Sequence, residues 1–251
     1  MTEPLLQIVG LRKSFGALRA TDDLSFAIER GHIHALIGPN GAGKTTVVNQ
    51  LSGDLAPDAG TIRFKNRDIT KLKSHQRARL GIARSYQITH IFENLSVAEN
   101  MGLALCARAG HNFRFFRHWR KSPLVKNDLN AALERVDLLH RADLTACHLS
   151  HGEKRQLEVG MTLVGEPELL ILDEPMAGMG PGGTVELTKL IRRLKGQVTI
   201  LLVEHDMDVV FSLADRVTVL VYGANIASGT PDEIRGNRDV REAYLGDNGD
   251  A

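Results

Sequence analysis

The pattern of hydrophobic residues changes along the first two thirds of the chain. Near the N-terminus, short apolar runs separated by glycine and charged turns predict strands, at residues 5–11, 24–29, 32–38 and 61–65. After residue 90, apolar residues recur at helical spacing in three segments, at residues 96–109, 129–142 and 152–165. The chain is therefore expected to begin with a β-rich region and to continue into a mostly helical one.

The last third alternates strands with helices. Strand-sized apolar runs lie at LLILD (169–173), VTILLV (198–203) and RVTVLVY (216–222), and segments with helical spacing separate them. This alternation is typical of a parallel sheet covered by helices. The pattern predicts a single α/β domain with a catalytic core and β subdomain (1–87 and 166–229), an inserted helical subdomain (88–165) and a C-terminal helical tail (230–251).

Composition narrows the class of protein. The 251 residues are 43% hydrophobic and 24% charged, as in an ordinary globular chain, and the net charge of +1 gives no reason to expect nucleic acid or an anionic membrane as the partner. The N-terminal segment does not have the pattern of a signal peptide, and no uncharged apolar run approaches the roughly 18 residues of a membrane-spanning helix. We therefore expect a protein that stays inside the cell and that acts at a membrane, if at all, through another chain.

The segment GPNGAGKTT (38–46) follows an apolar strand-like run and precedes a helix-like one. It matches the phosphate-loop pattern GxxxxGK[ST] in the required strand, loop and helix context. Its glycines allow backbone N–H groups to turn toward phosphate oxygens, and the helix N-terminus supports the anion. Lys44 is expected to neutralise the β- and γ-phosphates, and the Thr45 hydroxyl to bind Mg²⁺.

Other candidate residues lie where predicted strands end. In LLILDEP (169–175), Asp173 and Glu174 come at the carboxyl edge of the sheet, where α/β proteins bind ligands; Asp173 suits Mg²⁺ and Glu174 the general base. Gln87 ends the run IARSYQI, and His205 follows another strand in LLVEHDM. Alone, such a glutamine is usually a surface residue and such a histidine is more often structural, so their candidacy depends on several strand ends meeting one γ-phosphate.

These motifs, in this order along nearly the whole chain, resemble the ATP-binding-cassette (ABC) ATPases. The resemblance implies a P-loop NTPase fold with a RecA-like parallel sheet, an N-terminal antiparallel β subdomain and an inserted helical subdomain. It also implies that Phe15, in KSFG, stacks on adenine, that Gln87 links the helical lobe to the metal, and that His205 contacts the γ-phosphate. The implied ATP-binding residues are Phe15, Gly38, Pro39, Asn40, Gly41, Ala42, Gly43, Lys44, Thr45, Thr46, Ser150 and Gly152, the implied Mg²⁺ ligands are Thr45, Gln87 and Asp173, and the implied catalytic residues are Glu174, His205 and Gln87.

The turn LSHGE (149–153) has no evident partner in its own chain, but it looks like the family's signature sequence, usually LSGGQ. In the family, two cassettes pack head to tail, so Ser150, Gly152 and the following helix start would complete the ATP site of the other subunit. Such a helix start needs no lysine, because the facing phosphate loop supplies one. His151 and Glu153 depart from the usual glycine and glutamine, adding bulk and removing a hydrogen-bond donor.

The segment EPMAGMGPGG (174–183) also departs from the family pattern. It occupies the place of the D-loop, and Gly180 stands where an aspartate is expected. Glycines at 178, 180, 182 and 183 predict a mobile loop, which puts the usual aspartate contact in doubt without affecting Glu174.

Transport is the leading interpretation among the activities of ABC proteins. The sequence carries no long coiled coil, zinc motif or second cassette that would favour action on nucleic acid or in translation, and no NKxD motif of GTPases. The basic and aromatic stretch 108–121 could stack on single-stranded nucleic acid, but packing onto the helical lobe or a partner is favoured.

Within the transporters, LSHGEKRQLEVGM, DEPMAGM, EHDM and REAYLG are similar to LivG-type cassettes of bacterial branched-chain amino acid importers. Urea or amide importers and lipopolysaccharide-type exporters remain alternatives. The resemblance implies a second ATPase subunit, identical or different, two transmembrane permease subunits and a periplasmic substrate-binding protein. It also implies ATP and Mg²⁺ as cofactors, no nucleic-acid partner, and a peripheral position at the cytoplasmic face of the inner membrane.

Overall fold

A computed structural model of the protein describes residues 3–85, 91–108 and 123–245. The strands are β1 (Leu6–Phe15), β2 (Leu18–Ile28), β3 (Ile33–Ile37), β4 (Ala59–Phe64), β5 (Arg67–Asp68), β6 (Ile82–Ser85), β7 (Leu169–Asp173), β8 (Thr199–Val203), β9 (Arg216–Val221) and β10 (Ala224–Gly229). The helices are α1 (Lys44–Ser52), α2 (Ser74–Arg79), α3 (Val97–Arg108), α4 (Pro123–Arg135), α5 (His151–Leu163), α6 (Pro181–Leu194), α7 (Met207–Leu213), α8 (Pro231–Gly236) and α9 (Arg238–Leu245).

Internal contacts divide the chain into two compact units. The first comprises Met1–Arg84, Glu168–Glu174 and Leu194–Ala251, and the second comprises Ser85–Pro167 and Pro175–Arg193. The first unit contains a four-stranded sheet in the order β2-β1-β4-β5, and a six-stranded sheet lies in the order β10-β9-β3-β8-β7-β6. None of the helices that the structure describes is both long and apolar enough to span a membrane.

In the four-stranded sheet, β1 pairs antiparallel with both β2 and β4. Alternate residues of β1, beginning with Leu6 and Ile8, are buried, so one face of the sheet covers the core. The register with β4 shifts between Val9 and Arg12. At this point a Cβ on Gly60 would collide with the backbone of Gly10, so glycine allows the two strands to approach closely.

The six-stranded sheet places the candidate residues. Strand β3 pairs in parallel with β8 and β9, and β7 pairs in parallel with β8, while β10 is an antiparallel edge strand. Every residue of β3, β7 and β8 is buried, which explains their continuous apolar sequences. Asp173 is in register with Val203, so the residues that follow β7 and β8 emerge at the same edge.

The two faces of this sheet bury separate clusters. Leu36 belongs to a cluster that includes α1 residues and residues of the four-stranded sheet. Its neighbours Ala35 and Ile37 point to the opposite face and pack with apolar residues of α7, α8 and α9. The alternation along β3 therefore fixes the strand between α1 on one side and the C-terminal helices on the other.

The second unit is mostly helical. Helix α3 packs against α4 and α5. At Gly160 of α5 a Cβ would lie 2.8 Å from the Met101 side chain and 3.0 Å from that of Val136, so the absence of a side chain lets the helices pack tightly. Asn100 fixes the segment before α3, because its side chain donates to the carbonyl oxygens of Phe92 and Ser96, each at 3.0 Å.

Candidate nucleotide and metal site

The phosphate loop connects β3 to α1 and is held by its glycines. A Cβ on Gly38 would collide with the Leu220 carbonyl oxygen, and one on Gly43 would collide with that of Ala20. Gly41 and Gly43 also have φ angles of 77° and 101°, in the left-handed region that favours glycine. The loop therefore adopts a path that residues with side chains would obstruct.

Helix α1 begins without a side chain capping its N-terminus. The first amide groups of a helix lack partners within the helix and carry partial positive charge, so an uncapped start can bind an anion. Lys44, Thr45 and Thr46 form this first turn. The arrangement suits the phosphates of a nucleotide.

The Lys44 side chain lies inside the loop. Its Nζ donates to the carbonyl oxygens of Gly38 and Pro39, at 2.6 Å and 3.0 Å. Burial lowers the pKa of Lys44, although the negative charges of Glu174 and Asp173 act in the opposite direction. These influences show that the structure brings the lysine and the two predicted acids into one electrostatic site.

The two acids differ in their surroundings at the end of β7. Asp173 is buried, whereas Glu174 is partly exposed. Glu174 has a φ of 47°, and its N–H donates to the Val203 carbonyl oxygen at 2.9 Å. A left-handed conformation is costly for a residue other than glycine and occurs often at functional sites. It gives the chain a sharp turn directly after Asp173.

Arg84, which was not among the residues predicted from the sequence, forms a buried ion pair with Asp173. Its Nη2 lies 2.8 Å from Asp173 Oδ2. Arg84 is the third residue of β6, three positions before Gln87. The sequence does show a cation near the end of a strand-like apolar run, which indicates a possible buried partner. It does not identify that partner, because Asp173 lies 89 positions away.

Phe15 ends β1, and its side chain is 52% exposed. The Lys13 ammonium lies 5.6 Å from the centre of its ring and also pairs with Asp58 at 2.7 Å. Asp58 accepts a hydrogen bond from the Ser14 N–H at 2.8 Å as well. Asp58 thus fixes the two residues of β1 that precede the exposed aromatic ring.

His205 lies just beyond β8 with its side chain 65% exposed. Its Nδ1 is 3.8 Å from Oε2 of the fully buried Glu204, whose carboxylate also accepts from the His205 N–H at 3.2 Å. Gln87 lies outside the described residues, as do residues 109–122, which include the aromatic residues of the basic stretch.

Ser150 does have a partner in its own chain, so the expectation of an isolated turn is wrong. Its Oγ accepts from the Glu153 N–H at 3.3 Å, and the Ser150 N–H donates to Glu153 Oε2 at 2.9 Å. This reciprocal capping box begins α5. Burial opposes ionisation of Glu153, but hydrogen bonds from Ser150 and Arg141 outweigh it and lower the pKa of the carboxyl. The pattern S-x-x-E was a sign of this cap in the sequence.

The glycine-rich loop after Glu174 is shorter than predicted. Helix α6 begins at Pro181, so Gly182 and Gly183 are helical and the expectation of a mobile loop is wrong for both. Proline is favoured at the first position of a helix, which explains the early start. Gly183 lies against Gly152 of the signature turn, where a Cβ on Gly152 would be 3.0 Å from the Gly183 Cα.

The phosphate loop, its lysine and two acids at the carboxyl edge of a largely parallel sheet define a P-loop nucleotide-binding protein. Residues 21–177 match the ABC transporter family. Residues 224–250 match the family described as branched-chain amino acid ATP-binding cassette transporter.

Curated relatives and solved structures agree with these matches. The branched-chain amino acid transport ATP-binding protein LivG of Salmonella typhimurium is 41% identical over 98% of this chain and 100% of its own length. BraF of Pseudomonas aeruginosa is 38% identical over 98% of this chain and 100% of its own length. An ABC transporter cassette solved in its ADP conformation has a TM-score of 0.85 at 29% identity, covering 98% of this chain and 100% of that one.

The chain belongs to the ATP-binding subunits of ABC transporters. The family and the fold class predicted from the sequence are confirmed, and so is the resemblance to LivG-type proteins. As a member of this family the protein binds ATP and is an ATPase.

Proposed function

We propose that this protein is the ATP-hydrolysing subunit of an importer for branched-chain amino acids. The observation that carries the choice of cargo is its 41% identity, over 98% of the chain, to a LivG protein named for this transport. The match of residues 224–250 to a branched-chain amino acid cassette family supports the same choice. The permease subunits that form the path across the membrane are separate chains.

Lys44 and the start of α1 bind the phosphates. In the nucleotide-bound protein, phosphate oxygens replace the Gly38 and Pro39 carbonyls as partners of the Lys44 ammonium. The uncapped amides of the first turn donate to the same anion. The exposed ring of Phe15 stacks on adenine, and the glycines keep the backbone close to the nucleotide.

Thr45, Asp173 and Gln87 are the residues that would hold Mg²⁺. Mg²⁺ prefers oxygen ligands, and it is commonly held by one or two carboxylates together with substrate phosphates. The side chains fit this preference, since the Thr45 hydroxyl lies in the first turn of α1, and the Asp173 carboxylate is close enough to influence the neighbouring Lys44 ammonium. When bound, the ion supplies positive charge that offsets the charge on the phosphates.

Glu174 is the general base that accepts a proton from the attacking water. Its position directly after Asp173, in a left-handed conformation, separates its carboxylate from the metal-ligand role of its neighbour. His205 follows the neighbouring strand β8 and contacts the γ-phosphate. Ser150 and Gly152 act on the nucleotide of a second ATPase subunit packed head to tail.

The complex consists of two ATPase subunits, two permeases and a periplasmic substrate-binding protein. In it, this subunit lies at the cytoplasmic face of the inner membrane. The cytoplasmic position gives the site access to ATP, and cargo selection resides in the other chains.

One experiment tests both the chemistry and the cargo. Cells lacking their own copy of the gene are complemented with wild type, with Glu174→Gln, or with Glu186→Gln, which removes an exposed carboxylate of α6. Glu174→Gln should retain ATP binding but lower phosphate release by the purified protein on the order of 10²–10⁴-fold, because the base is absent. It should also abolish uptake of labelled leucine.

The Glu186→Gln variant should behave like wild type in all three measurements. Undiminished ATP turnover in Glu174→Gln would contradict the assignment of the base. Leucine uptake that does not depend on the gene, with loss of urea uptake instead, would contradict the assignment of the cargo.

A further inference from the structure

The buried pair of Arg84 and Asp173 places a fixed cation beside a predicted metal ligand. The Arg84 side chain is 9% exposed and that of Asp173 is 2% exposed, and the Nη2 to Oδ2 distance is 2.8 Å. A carboxylate removed from water needs such a partner, and a charge-assisted hydrogen bond also restricts its rotation. Arg84 therefore determines how the Asp173 carboxylate is oriented.

The same guanidinium reaches helix α1. Its Nη1 donates to Asn49 Oδ1 at 2.7 Å, with longer contacts to Ser52 Oγ at 3.4 Å and to Asp54 Oδ2 at 3.3 Å. Asn49 follows Thr45 by four residues, so the two side chains lie on the same face of the helix, one turn apart. Arg84 thus holds the helix that carries Thr45.

Arg84 connects two elements that each contribute one predicted Mg²⁺ ligand. One Nη atom is bound to β7 through Asp173, and the other is bound to α1 through Asn49. A planar guanidinium offers these donors in a rigid fork, whereas a lysine ammonium is a point charge on a flexible chain. Arg84 therefore contributes to the spacing between the Thr45 hydroxyl and the Asp173 carboxylate.

We propose that Arg84 is a positioning residue for the metal site, which sets the placement of Asp173 relative to Thr45 through Asn49. This inference rests on the proposed function of Thr45 and Asp173 as Mg²⁺ ligands. In this proposal Arg84 acts through Asp173 and Asn49 and is not itself a metal ligand. Its effect is expected on metal affinity, with nucleotide binding in the absence of metal much less affected.

The test uses Mn²⁺ as a spectroscopic substitute for Mg²⁺. Binding of Mn²⁺ to the full chain in the presence of AMP-PNP is measured by electron paramagnetic resonance. Arg84→Lys keeps the charge but loses the fork, and should weaken Mn²⁺ binding by about 10- to 100-fold, the range typical for residues that orient metal ligands. Asn49→Ala should weaken it in the same direction, although Asn49 is neutral. In the double variant the two effects should not add, because both break one linkage.

Asp54→Asn is the matched control. It removes the negative charge from the longer Arg84 contact to residue 54 and leaves the contacts to Asn49 and Asp173 in place, so Mn²⁺ affinity should stay at the wild-type value. The metal-free melting temperature is recorded for every variant. A purely structural role would lower it while leaving the Mn²⁺ affinity of the folded protein unchanged.

Two further variants separate this inference from the proposed function. Asp173→Asn and Thr45→Val should each weaken Mn²⁺ binding, and if neither does, the proposed metal site is itself wrong. If both do and Arg84→Lys binds Mn²⁺ as tightly as wild type, the positioning role is wrong. Tighter binding in Arg84→Lys would also overturn it, since Arg84 would then compete with the ion for Asp173.

Discussion

At the scale of single residues, His34 shows how burial changes the protonation of a side chain. It lies in the middle of the core strand β3, stacked on Phe26 with ring centres 5.3 Å apart and hydrogen-bonded to Thr218 at 2.9 Å. Burial, with smaller effects from Arg216 and His32, lowers the pKa of His34 to about 3. The native protein therefore holds this imidazole neutral at pH values where an exposed histidine is charged.

His34 should make the protein sensitive to acid. In the unfolded chain a histidine has a pKa of about 6.5. Below that pH the unfolded state therefore binds a proton at residue 34 that the native state does not bind. With a native pKa of about 3, the free energy of unfolding should fall as the pH drops from about 6.5 toward 3, by about 2 kcal/mol already at pH 5. Urea unfolding at pH 7.5 and pH 5 measures this loss.

His34→Gln provides the comparison, since glutamine does not titrate but can still hydrogen-bond to Thr218. Carboxylates titrate in both proteins, so their contribution cancels. Wild type should lose about 2 kcal/mol more than the variant between the two pH values. An equal loss in both would show that His34 is not responsible.

The roles of residues differ in how far the sequence reveals them. Lys44 and Thr45 are recognisable because their spacing from the loop glycines matches the phosphate-loop pattern. The cap formed by Ser150 and Glu153 was not predicted, although both residues lie within one helical turn and fit the S-x-x-E pattern. The role of Arg84 could not be predicted, because its partner Asp173 lies 89 positions away in the sequence. The two residues come together because β6 and β7 are neighbours in the six-stranded sheet.

At the scale of elements, α1 is stabilised differently at its two ends. Its N-terminus has no side-chain cap, whereas its C-terminal carbonyls are bound by Arg77 of α2. The Arg77 Nη1 donates to the Gln50 and Leu51 carbonyl oxygens at 2.6 Å and 2.9 Å. Burial lowers the pKa of Arg77 to about 10, and the side chain remains a cation suited to the negative end of the helix.

Arg77→Met should therefore destabilise the first unit strongly. Methionine keeps an apolar side chain like the aliphatic part of arginine but leaves the carbonyls of Gln50, Leu51 and two further residues without their donor, at a cost of about 3–5 kcal/mol. The measurement is urea unfolding at neutral pH. Arg79→Met, on the same helix but exposed, should change stability by less than about 0.5 kcal/mol; equal effects of both substitutions would contradict the role of Arg77.

Elements were predicted well where burial is uniform. LLILD, VTILLV and RVTVLVY correspond to β7, β8 and β9, because strands covered on both faces have continuous apolar sequences. β10 was missed because it is an edge strand with a mostly exposed sequence, ANIASG. Only the last part of β2 was predicted, since Asp22 and Asp23 interrupt the apolar pattern before it.

At the scale of the whole molecule, the N-termini of α1 and α5 differ in how they are capped. α1 has no side-chain cap, whereas α5 is capped by Ser150. The cap uses Ser150 Oγ as an acceptor, and a serine hydroxyl also carries one donor hydrogen. Ser150 can therefore begin its own helix and still donate to a phosphate of a second subunit, so the local partner and the proposed one are compatible.

Mixing two inactive variants tests whether Ser150 acts on the other subunit. Ser150→Ala removes the signature serine, and Lys44→Ala removes the phosphate-loop lysine. In a head-to-tail mixed dimer, one site combines the intact phosphate loop of the first chain with the intact signature of the second, and the other site lacks both. A 1:1 mixture should therefore recover roughly a quarter of the intact sites of wild type, measured as ATP turnover.

The control follows from the capping role. Ser150→Ala also costs about 1 kcal/mol of helix stability, so a lower melting temperature alone would not distinguish the two roles. Ser150→Asp keeps an acceptor for the cap but places a negative charge toward the phosphate, so it should fold like wild type and remain inactive by itself. Its mixture with Lys44→Ala should recover the same activity. If the two variants form mixed dimers and neither mixture exceeds the separate variants, Ser150 acts within its own chain and the head-to-tail arrangement is wrong.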